Sequence, residues 1–205
     1  MVVGLTGQSG AGKTTVCSVF RENGYAVIDA DGIARKIVKK GTPCLAELAD
    51  YFGSCIIRDD GELDRRKLAS IVFSDSSKLE VLNSISYPYI TAEILEQIRN
   101  LSAEGKKLIL LDAPTLFESR ADDFCELIIS VISKEEKRLQ RIIARDKLTE
   151  EAARKRLSSQ RDDRFFIQNS DFIIKNNKTR DALLDVAREV SEKVVEYYNK
   201  KMNII

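Results

Sequence analysis

The chain has 205 residues, 43% of them hydrophobic and 32% charged. That length suits one compact domain with room for a smaller appended part, and that balance lies well away from the regime of disordered chains. Lys plus Arg is 33 and Asp plus Glu is 32, so the net charge of +1 gives no overall basic field to draw nucleic acid.

The chain contains no histidine. This removes Ser-His-Asp and Cys-His catalysis and imidazole metal ligation together, and leaves proton transfer to carboxylates, Lys, Tyr, Cys or water. Cys17, Cys44, Cys55 and Cys125 show no CxxC spacing, and the opening MVVG carries no basic or secretory signal. Reduced thiols that serve packing, in a cytoplasmic protein, are the expectation. No apolar run approaches the roughly 18 residues of a membrane span, so no membrane partner is expected.

In chain order, residues 2–6 form a short apolar run ending in glycine, and Val16, Val19 and Phe20 then recur at helical spacing. The chain therefore opens strand, loop, helix. Residues 25–28 (YAVI), 107–111 (KLILL), 126–132 (ELIISVI) and 171–175 (DFIIK) read as four further strands, apolar without alternation, as strands buried on both faces must be. Between the second and third lie roughly eighty residues of helical patterning, with Leu45/Leu48/Ala49/Phe52, Leu68/Ile71/Val72 and Ile90/Ile94/Leu95/Ile98, more than one crossover needs. An inserted helical part follows, with Asp59-Asp60-Gly61 as a small hairpin or loop inside it. In the charged stretch 134–160, Leu139, Ile142 and Ile143 make an apolar face, and Arg138, Arg141 and Arg145 fall together on another. Leu183, Ala187, Val190, Val194 and Tyr197 make a core-facing stripe on a last helix.

Gly7-Gln8-Ser9-Gly10-Ala11-Gly12-Lys13-Thr14 fits GxxxxGK[ST] at every position, between a strand and a helix. Such a loop cradles phosphate with backbone N–H groups and a helix N-terminus, while Lys13 reaches the β/γ-phosphates and Thr14 offers a hydroxyl to Mg²⁺. Asp29 and Asp31 follow the second strand, where α/β sheets place ligands. Either can serve as base toward an acceptor hydroxyl, and Asp31 is equally suited to cap the helix that follows. Asp112, directly after the third strand, is placed either to hold Mg²⁺, directly or through water, or to turn the chain before Pro114. The three arginines suit phosphate contacts or, beside Glu135 and Glu136, a solvated helix face.

The order of these segments resembles the dephospho-CoA kinase family over nearly the whole chain. The marks are VGLTGQSGAGKTTV at 3–16, VIDADGIAR at 27–35, DGELDRRKL at 60–68, LN at 82–83, LDAPTLFES at 111–119, QRIIARD at 140–146 and SDFIIKNN at 170–177. The resemblance implies an α/β, three-layer P-loop kinase core with a five-stranded parallel sheet. It divides the chain into a nucleotide-binding core (1–30 and 106–205), a helical acceptor-binding part (31–105) and a lid (134–163). It further implies transfer of the ATP γ-phosphoryl to the ribose 3′-hydroxyl of dephospho-CoA with Mg²⁺. Asp31 would be the base, Lys13, Arg141 and Arg145 would act on the transferring phosphoryl, and Thr14 and Asp112 would hold the metal. Gly7, Gln8, Ser9, Gly10, Ala11, Gly12, Lys13, Thr14 and Thr15 would bind the phosphates, and Asn177 would lie near the adenine. A small-molecule acceptor, no nucleic acid and a monomeric state are the corresponding expectations.

One departure is plain: where the family has His-Pro after its Leu-Asn, this chain has Tyr87-Pro88. A phenol titrating near pH 10 is no neutral-pH base. The rival readings are another small-molecule kinase, of the nucleoside or nucleotide monophosphate type, and a nucleotide-dependent switch. Against the switch, Asn177-Lys178-Thr179-Arg180 lacks the acidic residue of the guanine-reading Asn-Lys-x-Asp element.

Overall fold

The computed structural model describes residues 1–203. The apolar runs become one sheet of five parallel strands in the order β2-β3-β1-β4-β5. Central β1 (Val2–Gly7) is buried along its whole length and pairs with β3 (Ile109–Asp112) and β4 (Leu127–Ile132). The flanking strands are β2 (Ala26–Asp29) and β5 (Phe172–Lys175). Every expected strand is present, with bounds moved by one or two residues. The register sets Leu5 beside Asp112 and Thr6 beside Ser130, which brings the carboxyl ends of β1, β3 and β4 to one edge of the sheet. In open parallel sheets that edge is where ligands bind.

The helices among the described residues are α1 (Lys13–Glu22), α2 (Ala30–Lys36), α3 (Pro43–Phe52), α4 (Arg65–Val72), α5 (Ser76–Ala103), α6 (Glu135–Asp146), α7 (Glu150–Ser158), α8 (Asp163–Gln168) and α9 (Arg180–Met202). The chain divides into two compact units, Met1–Ile28 with the chain from Leu101, and Asp29–Asn100.

In the first unit, Val3, Leu5, Leu110, Ile129, Val131 and Ile174 of the sheet pack with Val16, Val19 and Phe20 of α1 and with Leu183, Ala187, Val190 and Val194 of α9. The α9 stripe closes at Val194: Tyr197 is 43% exposed. Tyr25 precedes β2 instead of entering it; its buried ring meets Phe20 edge-on at 4.9 Å and its hydroxyl donates to Ser191 O at 3.2 Å. The charged stretch after β4 forms two helices, parted at Lys147, whose φ of 53° stops α6. Leu139, Ile142, Ala153 and Leu157 give α6 and α7 a small core of their own.

In the second unit, Leu45 and Leu48 of α3 join Leu68 and Val72 of α4 around Ile56 and Leu63. Thr42 caps α3 ahead of Pro43, and Asp64 caps α4 by accepting from Lys67 N at 2.9 Å. The Asp59-Asp60-Gly61 turn closes a minimal hairpin: Ile57 bridges Leu63 antiparallel, and Asp60 Oδ1 accepts from Glu62 N at 2.9 Å. Pro88 sits inside α5, where it removes one backbone donor from the helix.

Candidate active site

The phosphate loop leaves β1 at Gly7 and enters α1 at Lys13. Two of its glycines are obligatory. At Gly7, φ is 146° and a Cβ would stand 2.3 Å from Val131 O; at Gly12, φ is 108° and a Cβ would stand 2.5 Å from Asn176 Nδ2. Any side chain at either position would collide with neighbours that hold the loop's shape. No side chain caps α1, and Thr15 and Val16 turn their N–H groups back to Gly12 O at 3.0 and 3.3 Å. The N–H groups of Lys13 and Thr14, at the head of the helix, have no acceptor within it, an arrangement that favours an anion there.

Lys13 Nζ is ion-paired with Asp112 Oδ1, the last residue of β3, with both side chains largely buried at 16% and 17% exposure. The strand register makes this meeting, since Leu5 and Asp112 are neighbours across the sheet. Cys17, one turn beyond Lys13, is buried behind the pair. Burial, and then the negative charge of Asp112, push its thiol up to about 11. Burial likewise pushes Cys125 up to about 12 and raises Cys44. These three thiols stay protonated near neutral pH, as packing residues do, whereas Cys55 is exposed. Native protein treated with iodoacetamide at pH 7.5 is expected to gain one adduct by intact mass, on Cys55, and the other three only after denaturation. Rapid double labelling of folded protein would contradict this.

The three arginines of α6 share a face but not an environment. Arg138 is buried, with Nε on Ser133 O at 3.0 Å and an Nη on Gln160 Oε1 at 3.2 Å. Arg141 reaches the phosphate loop itself, donating to Gly10 O at 3.1 Å and also to Asn176 O at 3.3 Å and Ser133 Oγ at 3.3 Å. Arg145 is exposed and paired bidentately with Asp146 at 2.7 and 2.8 Å, which holds the Asp146 carboxyl below its ordinary range. Arg138 is thus a structural residue, and the solvated face with its ion pair is confined to Arg145.

Asn177 Oδ1 accepts from Lys134 N at 2.8 Å and from Ser133 Oγ at 3.2 Å, which ties the end of β5 to the start of α6. The residue before it was not singled out from the sequence and is the more buried. Asn176 donates from Nδ2 to Ala11 O at 2.7 Å, holding the back of the loop. The doubled Asn of SDFIIKNN was the available signal.

A second unforeseen support lies on the other side of the loop. Gln8, 3% exposed, donates from Nε2 to Asp163 Oδ1 at 2.8 Å and to Arg161 O at 3.3 Å, and Gln160 Oε1 accepts from Ser9 N at 3.1 Å. Gln8 Oε1, facing away, has no donor among the described residues. A buried acceptor left so costs about 1–3 kcal/mol.

Asp29 ends β2 and caps α2, its Oδ1 accepting from Gly32 N at 3.0 Å. This corrects the capping alternative weighed for Asp31: the helix starts at Ala30, two residues earlier than that alternative needs, so Asp31 falls in the first turn and is exposed.

A parallel sheet whose central strand runs through a GxxxxGKT loop into a helix, with the loop lysine beside a carboxylate on the next strand, defines a P-loop nucleotide-binding protein. The model of the family described as "CoaE: Dephospho-CoA kinase" matches residues 1–181. The chain belongs to the dephospho-CoA kinase family, and is a kinase with ATP as phosphoryl donor and dephospho-CoA as acceptor. It is 37% identical over 195 residues to the dephospho-CoA kinase of Oryza sativa subsp. japonica, covering 95% of this chain and 85% of the relative. It is 39% identical over 177 residues to that of Listeria innocua, covering 86% and 88%. The solved dephospho-CoA kinase of Campylobacter jejuni superposes with a TM-score of 0.71 at 30% identity, over 94% of this chain and 96% of that one. Neither a monophosphate kinase nor a switch protein is favoured. Among the described residues no helix is long and apolar enough to cross a membrane.

Proposed function

We propose that the protein makes CoA and ADP by moving the γ-phosphoryl of ATP onto the ribose 3′-hydroxyl of dephospho-CoA, as a cytoplasmic monomer with small-molecule partners and no nucleic acid or membrane. Residues 31–105 bind the acceptor, and residues 134–163 form a lid. The observation that carries the reading is the complete phosphate loop, with glycines where the backbone packs too closely for a side chain and with Lys13 at the head of α1, in a chain of this family.

Lys13 leaves Asp112 to meet the β/γ-phosphate oxygens, while the loop from Gly7 to Thr15 holds the rest of the triphosphate. Asp31 accepts the proton of the 3′-hydroxyl, the new bond forms from that oxygen to the γ-phosphorus, and the bond from phosphorus to the bridging oxygen breaks to leave ADP. Arg141 and Arg145 cover the charge that develops on the phosphoryl, and closure of the lid keeps water from competing for it. Asn177 lies on the adenine side. The hydroxyl of Thr14, exposed at the first turn of α1, and the carboxylate of Asp112 are hard oxygen donors suited to Mg²⁺, which keeps most of its shell for water and phosphate. Held there, the ion would supply neutralisation of triphosphate charge.

The test is an acceptor panel with ATP and Mg²⁺, read by the mass gain of one phosphoryl group. Dephospho-CoA is expected to be phosphorylated with a kcat/KM far above those of adenosine and AMP. A higher value for AMP would refute the assignment of the acceptor.

A further inference from the structure

We propose that Gln160 is a positioning residue for the phosphate loop, one that makes the loop's hold on a triphosphate and the placement of the segment between α7 and α8 a single equilibrium. The proposal rests on the reading of the loop as the ATP site. Gln160 Oε1 receives two donors at once, Ser9 N at 3.1 Å and an Nη of Arg138 at 3.2 Å. Arg138 is 6% exposed and pinned on its other side to Ser133 O, so it aims the Gln160 amide and through it the peptide plane between Gln8 and Ser9. That plane immediately precedes Gly10, where the loop turns with a φ of 76°.

The next residues along repeat the grip on Gln8. Asp163 Oδ1 and Arg161 O share its Nε2 protons, so three residues of the run 160–163 bind two consecutive loop residues. The same segment also reaches the stretch after Asp112: Phe165 meets Phe117 edge-on at 5.1 Å, and Arg161 lies 3.8 Å from Glu118 and 4.7 Å from the centre of the Phe165 ring. Arg161 and Asp163 are themselves exposed, so their tie to the loop is made by these polar contacts, between the buried Leu157 and Phe166. Gln8 Oε1 is buried with no donor among the described residues, so an arrangement of the loop that brought it one would be favoured. Whatever moves the loop therefore moves the segment, and the coupling works equally in reverse.

Wild type, Gln160→Leu and Gln160→Glu are compared by ATP titration, steady-state kinetics, thermal melting and hydrogen exchange of peptides covering residues 7–13 and 157–166. In wild type, ATP is expected to change protection of both peptides. Gln160→Leu, which loses the acceptor at similar volume, should raise Kd and KM for ATP about tenfold, the equivalent of about 1.4 kcal/mol, leave KM for dephospho-CoA unchanged, and abolish the ATP response of the 157–166 peptide. Gln160→Glu keeps the acceptor and should restore that response. Wild-type ATP affinity and exchange in Gln160→Leu would overturn the proposal, as would equal rises in both KM values. Wild type that fails to bind ATP would instead refute the underlying reading of the loop. Should Gln160→Leu not fold, Asp163→Ala against Asp163→Asn takes its place, since only the alanine removes the side-chain acceptor for Gln8.

Discussion

Replacing Asp31 with Asn is expected to lower kcat by about 10²–10⁴-fold, the range for a positioned general base, with ATP affinity and melting temperature close to wild type. An amide of the same shape cannot take the 3′-hydroxyl proton, and the phosphates are held elsewhere, by the loop at the head of α1. The fold is insensitive because the cap of α2 belongs to Asp29, whose Oδ1 accepts from Gly32 N at 3.0 Å and is untouched. What Asp31 contributes to α2 is a first-turn charge, worth about 0.3–1 kcal/mol at an exposed helix start. Asp29 supplies the control: Asp29→Asn should keep both cap and activity, since Asn caps as well as Asp, and Asp29→Ala should cost about 0.5–2 kcal/mol of stability. Kinetics, an ATP titration and a melt on one preparation decide the matter. A loss of kcat below about threefold at normal stability would take proton abstraction away from Asp31.

Arg145→Ala is expected to reduce kcat by about 10³-fold, at the low end of what a transition-state arginine supplies, and to raise the KM for ATP much less. In the structure Arg145 is held by Asp146 on an exposed face, and such surface pairs are worth about 0–1 kcal/mol, so transferring the guanidinium to a doubly charged phosphoryl costs little. The substitution also leaves no stranded charge, because Asp146 keeps Arg156, whose Nη donates to it at 2.7 Å. Stability is therefore expected to hold while the rate collapses. An unchanged kcat would reduce Arg145 to the surface ion pair it makes with Asp146.

How far the site was legible follows from how local each signal is. The GxxxxGKT run and the strand before it are contiguous, and a strand buried on both faces announces itself by an unbroken apolar run, so the loop and sheet were readable directly. Spacing could also group Arg138, Arg141 and Arg145 on one side of a helix, because a helical period is a property of the chain alone. It could not say that the first is buried against Gln160, the second bonded to Gly10 O and the third left in water. Those fates depend on what packs against α6. The choice of cap at α2 failed for a smaller reason: Asp29 and Asp31 are chemically equal caps, and only the point at which β2 ends selects between them.

The amino-acid sequence thus determined the strands, the phosphate loop, the family and, through the absence of histidine, the exclusion of imidazole chemistry. The tertiary structure alone decided what braces the loop. Gln160, Asp163 and Asn176 lie 151, 155 and 165 residues from the loop atoms they bind. Hydrogen bonds of that span leave no periodicity in the chain, and they exist only because the parallel sheet carries the segment after α7 and the end of β5 to the edge where β1 delivers the loop.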